Sequence, residues 1–117
     1  MNKLFVEDCE GRSYQEVEEI VVKEFEITKE EISRYDIIVA ALSSGGYDGS
    51  AYFLIKEHST GNLLEVIAGH CSCYGFEGQW VPKISSREYL LSEHYRPESD
   101  YETSSNEIKK FVKELFN

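Results

Sequence analysis

Ile37-Ile-Val-Ala-Ala-Leu42 is a run of six apolar residues without a polar face. Ile and Val are branched at Cβ, and such side chains favour strands over helices. An apolar run of this length is typical of a strand whose sheet is covered on both sides. The run therefore predicts a strand at the centre of a sheet.

Two further strands are predicted downstream, at Ala51–His58 and Leu63–Ala68. The loop 43–50 contains three glycines and an Asp-Gly pair, and the loop 58–62 contains one glycine near its end. Both compositions are typical of turns between strands. Because short loops join neighbouring antiparallel strands, the three strands are expected to form an antiparallel meander.

Helices are predicted on both sides of this meander. Ser13 and Glu16 form a capping-box pattern before apolar residues at helical spacing, which predicts a helix over 14–25. The same pattern predicts further helix starts, at Thr28/Glu31, Ser85/Glu88 and Ser104/Glu107. Residues 2–8 could add a short edge strand. The expected fold is α+β in one domain, 1–117, with a three- to four-stranded antiparallel sheet and helices from both termini packed on it.

Charge and composition narrow the classes of function. The chain has 117 residues and a formal net charge of −10, of which residues 1–31 carry −6. Direct nucleic-acid binding is disfavoured because it requires a basic surface, whereas an acidic face can attract a basic protein. The N-terminus lacks a signal peptide's apolar stretch, and no apolar run is long enough to span a bilayer. We therefore expect a cytoplasmic protein with reduced thiols and no membrane partner. Three cysteines, an odd number, do not suggest a disulfide framework.

The segment Gly69–Pro82 concentrates the unusual chemistry of the chain. Its Cys71-Ser-Cys73 pair could bind zinc, with His70 or a distant His or Cys completing the ligands. The alternative is that both cysteines are core residues that continue the strand, and no cofactor is bound. A cysteine nucleophile is disfavoured, because the acidic surroundings raise a thiol pKa. No catalytic constellation is found.

Candidate partner-binding residues lie in three places. Tyr74 and Trp80 could anchor a partner, although Trp80 could equally cover one end of the core. The acidic helix offers Glu18 and Glu19, whose alternative interpretation is a solvated face. The glycine-rich loop offers Tyr47 and Asp48.

Tyr47-Asp-Gly-Ser-Ala-Tyr52 and Cys71-Ser-Cys-Tyr-Gly-Phe-Glu-Gly-Gln-Trp80 together resemble a group of small uncharacterised proteins encoded by bacteriophages and prophages. The resemblance covers about residues 37–82 and carries no activity. It implies a mobile-element origin and expression in a bacterial cytoplasm. Small acidic phage proteins are often inhibitors of host machinery, such as a nuclease or a CRISPR-type defence, so by association we expect a host or phage protein as the partner and inhibition as the outcome. The alternative function is that of a small zinc protein that uses Cys71, Cys73 and His70.

Overall fold

The computed structural model describes residues 3–44, 48–71, 74–97 and 102–117. The described helices and strands follow one another along the chain in the order β1 (Leu4–Glu7), α1 (Tyr14–Phe25), α2 (Lys29–Ile32), β2 (Tyr35–Ser43), β3 (Gly49–Glu57), β4 (Leu63–His70), β5 (Lys83–Ile84), α3 (Arg87–Leu90) and α4 (Glu102–Phe116). The α+β class predicted from the sequence is confirmed.

The sheet differs from the predicted one in size and direction. It has five strands in the order β1-β2-β3-β4-β5, and β1 runs parallel to β2 whereas the other pairs are antiparallel. The prediction of a purely antiparallel sheet of three to four strands was therefore wrong. The reason is that α1 and α2 carry the chain back from the end of β1 to the start of β2, which is the connection that a parallel pair requires. The extra strand, β5, has only two residues and no alternating pattern of its own.

Both faces of the sheet are buried at β2 and β3. Phe53 and Ile55 pack with α1 and α2 in one core, and Tyr52 and Leu54 pack with α3 and α4 in a second core. A register shift between Ile37 and Val39 interrupts the alternation of β2. These two cores explain the run without a polar face, because each side chain of β2 meets a helix layer on one side or the other.

Three of the predicted helix starts agree with the structure closely or to within one residue. Ser13 and Glu16 form the complete capping box at α1, and Thr28 accepts the N–H of Glu31 at 3.0 Å. The third helix is capped by Ser86 instead of Ser85. The fourth prediction was wrong, because α4 begins at Glu102, upstream of Ser104. None of the described helices is both long enough and apolar enough to cross a membrane.

The fourth strand is fully covered on one face and partly covered on the other. Leu64, Val66 and Ala68 belong to the first core, beneath α1. On the opposite face, Leu63 packs against the second core, and Tyr89 of α3 lines a cleft with Glu65. Further along that face, Ile67 is 53% exposed.

Candidate interaction surface

The chain that leaves β4 folds back over the first core. We call residues 74–82 the lid loop. Trp80 lies in the core with only 9% of its surface exposed, and its ring contacts those of Phe25 and Phe53 edge to face at 5.3 and 5.4 Å. Phe76 stacks on Phe25 at 5.3 Å. Of the two interpretations of Trp80, this burial favours a core lid, because a partner could reach only the edge of the ring.

Gln79 attaches the lid loop to the outer edge of β4. Its Oε1 accepts the N–H of Gly69 at 3.0 Å, and its Nε2 donates to the Gly69 carbonyl at 2.7 Å. The same Nε2 donates to the carbonyl of Gly75 at 2.9 Å. The carboxamide thus provides hydrogen-bond partners for the backbone N–H and carbonyl of Gly69, at a position on the edge of β4 that β5 does not reach. It also holds the lid loop in one position.

Exposed large apolar side chains lie together in one part of the described chain. Four such residues are more than half exposed: Ile67 (53%), Tyr74 (53%), Val81 (57%) and Ile84 (74%). All four belong to the segment from β4 to β5. Scattered exposed apolar residues need no explanation, whereas those that share one surface mark a place where another molecule can bind. Of these four, Ile67 and Val81 line the same cleft.

Two shallow clefts join these residues to Glu65. The first has a volume of about 380 Å³ and is lined by Glu65, Ile67, Gly78, Gln79, Val81 and Lys83. The second, of about 420 Å³, is lined by Glu65, Ile84, Ser85, Ser86 and Tyr89. We call the set Glu65, Ile67, Val81 and Lys83 the β4–β5 patch; Ile84 pairs with Leu64, and paired residues share a face, so the side chain of Ile84 belongs to the opposite face of the sheet. Glu65 stands at its centre, since it is the residue that both clefts share.

The carboxylate of Glu65 ends a chain of hydrogen bonds from the second core. The hydroxyl of Tyr52 donates to Glu65 Oε2 at 2.7 Å, and the hydroxyls of Tyr52 and Tyr95 lie 2.7 Å apart. An ionised carboxylate only accepts, so the proton of Tyr52 is committed to Glu65 and Tyr95 must donate to Tyr52. Burial, followed by the neighbouring Tyr95 and Glu65, raises the pKa of Tyr52, and burial raises the pKa of Tyr95. Both hydroxyls therefore keep their protons at neutral pH.

The acidic residues predicted from the sequence border a different groove. Glu18 and Glu19 line a groove of about 240 Å³ between α1 and α2, together with Lys29. Asp48 is exposed at the start of β3, and Tyr47 lies outside the described residues. The structure thus separates Glu18 and Glu19 from Tyr74, which belongs to the lid loop.

Of the three predicted zinc ligands, the structure describes His70 and Cys71. The ring of His70 packs edge to face on Phe76 at 4.7 Å, and its Nδ1 lies 3.3 Å from the carbonyl oxygen of Cys71. The sulfur of Cys71 is in a disulfide, which differs from the expectation of reduced thiols and leaves no thiolate for a metal in this state. Cys73 lies outside the described residues. Among those that are described, no three His, Cys, Asp or Glu side chains group as a metal site would require; zinc binding stays a prediction.

The third cysteine, Cys9, is a free thiol buried in the first core. Burial, with further contributions from Asp8 and Glu7, raises the pKa of this thiol to about 12. A nucleophilic cysteine needs the opposite shift, because the thiolate is the reactive form.

Comparison with known proteins found no matching family model, no matching curated protein and no matching solved structure. The class that the fold and the surface define is an α+β domain with one incompletely covered sheet face.

The sequence reasoning missed the β4–β5 patch, although one signal for it was present. In Leu64-Glu-Val-Ile-Ala68, the buried residues alternate with Glu65 and Ile67. An isoleucine on the face that carries a glutamate is what a half-covered strand with an apolar outer surface would show. Val81 gave no such signal, since it follows no periodic pattern.

Proposed function

We propose that this chain acts by binding another protein through the β4–β5 patch. The observation that carries the proposal is the position of the exposed apolar side chains. Ile67 and Val81 are both more than half exposed, and they line one cleft together with Glu65, on the face of β4 opposite the first core. Burying such a surface against a partner is favourable by about 25 cal/mol per Å² of apolar area.

The patch is also held rigid before a partner arrives. Ile67 belongs to a strand that is paired with β3 along its length. Val81 follows Gln79 and Trp80, which are bound to the edge of β4 and to the core respectively. A surface that is already ordered loses little conformational entropy on binding, so more of the contact energy appears as affinity.

The proposal includes a class of partner. The resemblance to phage and prophage proteins supports a host or phage protein as the partner, and inhibition of host machinery, such as a nuclease or a CRISPR-type defence, as the outcome. The net charge of −10 supports a partner with a basic surface, since complementary charge accelerates encounter and suppresses other partners. The resemblance also supports the bacterial cytoplasm as the place where this chain acts.

The acidic groove between α1 and α2 is the competing surface. Glu18 and Glu19 lie there, and a basic partner could approach them without touching the β4–β5 patch. The two surfaces make different predictions, because one depends on apolar contact and the other on charge.

The experiment compares three forms of the chain as bait in a bacterial extract: the wild type, the double variant Ile67→Thr/Val81→Thr, and the double variant Glu18→Lys/Glu19→Lys. Threonine keeps the branched Cβ that a strand prefers, so the patch variant should fold, and circular dichroism checks this. We expect a stoichiometric polypeptide, identified by mass spectrometry, with the wild type and the Glu18/Glu19 variant but not with the patch variant. Loss only in the Glu18/Glu19 variant would move the site to the acidic groove. No stoichiometric polypeptide with any bait would contradict the proposal.

A further inference from the structure

We infer that the β4–β5 patch selects a partner segment in which a lysine or arginine is flanked by apolar residues, with Glu65 as the group that receives the cation. This inference rests on the proposed function and adds the chemistry of the ligand. It is carried by the position of Glu65, the bonds that hold it and the residues around it.

The first step is the position of the carboxylate. Glu65 lies on the face of β4 opposite the first core and is the residue that both clefts share. A cation that enters either cleft therefore meets the same group. The formal charge of −10 on the chain adds a general attraction for cationic segments.

The second step is the way the carboxylate is held. Oε2 accepts the hydroxyl of Tyr52 at 2.7 Å, and Tyr95 lies behind Tyr52 at the same distance. Both rings are buried in the second core, so the direction of the carboxylate is set by side chains that cannot move freely. In the described part of the chain, Oε1 accepts no hydrogen bond. An oriented carboxylate with one open oxygen is suited to a charge-assisted bond from a partner.

The third step is that the neighbouring cation, Lys83, forms no ion pair with Glu65 among the described residues. Lys83 stands directly across the ladder from Glu65. The ion pairs found among the described residues are Lys3–Asp36, Arg34–Glu31 and Arg34–Glu57, and none of them includes Lys83 or Glu65. The carboxylate is thus not paired with Lys83 in this structure, and a cation from a partner would compete with Lys83 for it.

The fourth step is the apolar surroundings. Ile67 and Val81 line the cleft on one side of Glu65, and Tyr89 of α3 lines the cleft on the other. Residues that flank the cation on the partner would contact these side chains. Apolar contact on both sides also excludes water from the charge pair, which strengthens it.

The test uses random nine-residue peptides displayed on phage and selected on the immobilised full-length chain. The selected peptides are then synthesised, and their affinities are measured by fluorescence anisotropy for the wild type, for the patch variant Ile67→Thr/Val81→Thr and for three variants that change a charge. Glu65→Gln removes the charge but keeps an oxygen that accepts the Tyr52 hydroxyl, so the fold is retained. Glu88→Gln is the matched control, since Glu88 is exposed on α3 and lies outside the patch. Glu65→Lys reverses the charge.

We expect the selected peptides to share a lysine or arginine with apolar neighbours. Their binding should weaken about tenfold or more in Glu65→Gln, which corresponds to about 1.4 kcal/mol, and should not change in Glu88→Gln. A selection on Glu65→Lys should yield acidic residues in place of the cation.

Two results would overturn the inference and leave the proposed function intact. One is a set of peptides without a shared cation whose binding is lost in Ile67→Thr/Val81→Thr. The other is a set of basic peptides that require Ile67 and Val81 but bind Glu65→Gln as well as the wild type. Peptides that bind the patch variant unchanged, or no enriched peptides at all, would contradict both the inference and the proposed function.

Discussion

Gln79 and Gly69 are joined by two hydrogen bonds of opposite direction, from the Gly69 N–H to Oε1 at 3.0 Å and from Nε2 to the Gly69 carbonyl at 2.7 Å. The side chain thereby takes the place of a neighbouring strand at a position that β5 does not reach. It also gives the glutamine of the Gly-Gln-Trp sequence a structural role, because the next residue, Trp80, enters the core from the position that Gln79 sets.

Replacing Gln79 should release the lid loop. Gln79→Ala removes all three side-chain bonds and should lower the free energy of unfolding by about 1–3 kcal/mol. Gln79→Glu should cost at least as much at neutral pH, because a carboxylate would face the carbonyls of Gly69 and Gly75 without a proton to donate. Urea denaturation measures both, and the amide of Gly69 should exchange faster in each variant. Gln15→Ala, on the exposed face of α1, is the control and should change little; equal stability of all four forms would contradict this role.

The direction of the Tyr95–Tyr52–Glu65 chain predicts an asymmetry between two similar substitutions. Tyr95→Phe leaves the Tyr52 hydroxyl bonded to Glu65 and should cost about 1 kcal/mol. Tyr52→Phe leaves both the Tyr95 hydroxyl and Glu65 Oε2 without their partner, so it should cost more, about 1–3 kcal/mol. The double variant should cost less than the sum, since neither hydroxyl remains to be satisfied. Chemical denaturation of the single and double variants tests the order, with Tyr74→Phe as an exposed control. A larger loss in Tyr95→Phe would reverse the assigned direction.

Gly49 on β3 and Gly69 on the neighbouring strand β4 should respond differently to substitution by alanine. A Cβ at Gly49 would overlap the carbonyl oxygen of Ser43 and would lie 2.6 Å from His70 Nε2. Backbone on one side and a packed ring on the other leave it no room, so Gly49→Ala should cost about 2 kcal/mol or more. At Gly69 the nearest atom would be 3.7 Å away, and Gly69→Ala should stay within about 1 kcal/mol of the wild type. Thermal unfolding compares the two, and similar melting temperatures would show that the end of β3 yields to the added methyl group.

Cys9 should make the protein less stable in alkali. Its pKa in the folded state is about 12, against an ordinary value of 9.0. Above pH 9 the unfolded chain therefore loses the thiol proton while the folded chain keeps it. The contribution of Cys9 is fully present below pH 9 and is lost progressively as the pH rises towards 12.

The matched variant for this effect is Cys9→Ala. The pKa of Tyr14 is raised to about 12, chiefly by burial, so this residue also lowers the stability of the protein in alkali. It does so equally in the wild type and in Cys9→Ala, and the same holds for the buried Tyr52 and Tyr95. The difference between the two forms therefore isolates the thiol. We expect the advantage of the wild type in urea denaturation to shrink between pH 8 and pH 11. Parallel stability curves over that range would show that the Cys9 thiol ionises with similar ease in both states.

Helices and strands were predicted well wherever the apolar residues of one segment repeat at a constant helical or strand spacing. The helix Tyr14–Phe25 was predicted with its observed bounds, because Ser13 and the apolar spacing act within a few residues of each other. The hairpins from β2 to β4 were predicted for the same reason, with errors of up to two residues at the strand ends. The start of α4 was missed, since the capping pattern at Ser104 lies inside the helix that forms.

Features that depend on contacts between distant residues were not predictable in this way. The parallel pairing of β1 with β2 depends on how α1 and α2 pack, and nothing in residues 4–7 encodes a direction. The partner-binding role of Trp80 was left open by its sequence context, and the burial against Phe25 and Phe53 became visible only in three dimensions. The zinc and phage-related hypotheses stay predictions that the experiments above and metal analysis can test.

The amino-acid sequence alone established an acidic α+β chain with a doubly buried central strand, because charge, turn composition and apolar periodicity are properties of neighbouring residues. Only the tertiary structure decided that Ile67 stays half exposed, and that Glu65, Ile67, Val81 and Lys83 line one cleft. Those residues span nineteen positions and meet across two strands and a loop, so their proximity depends on the whole sheet and its two helix layers. The same packing brings Tyr95 to Tyr52 and orients Glu65, although Tyr95 lies thirty residues beyond that carboxylate.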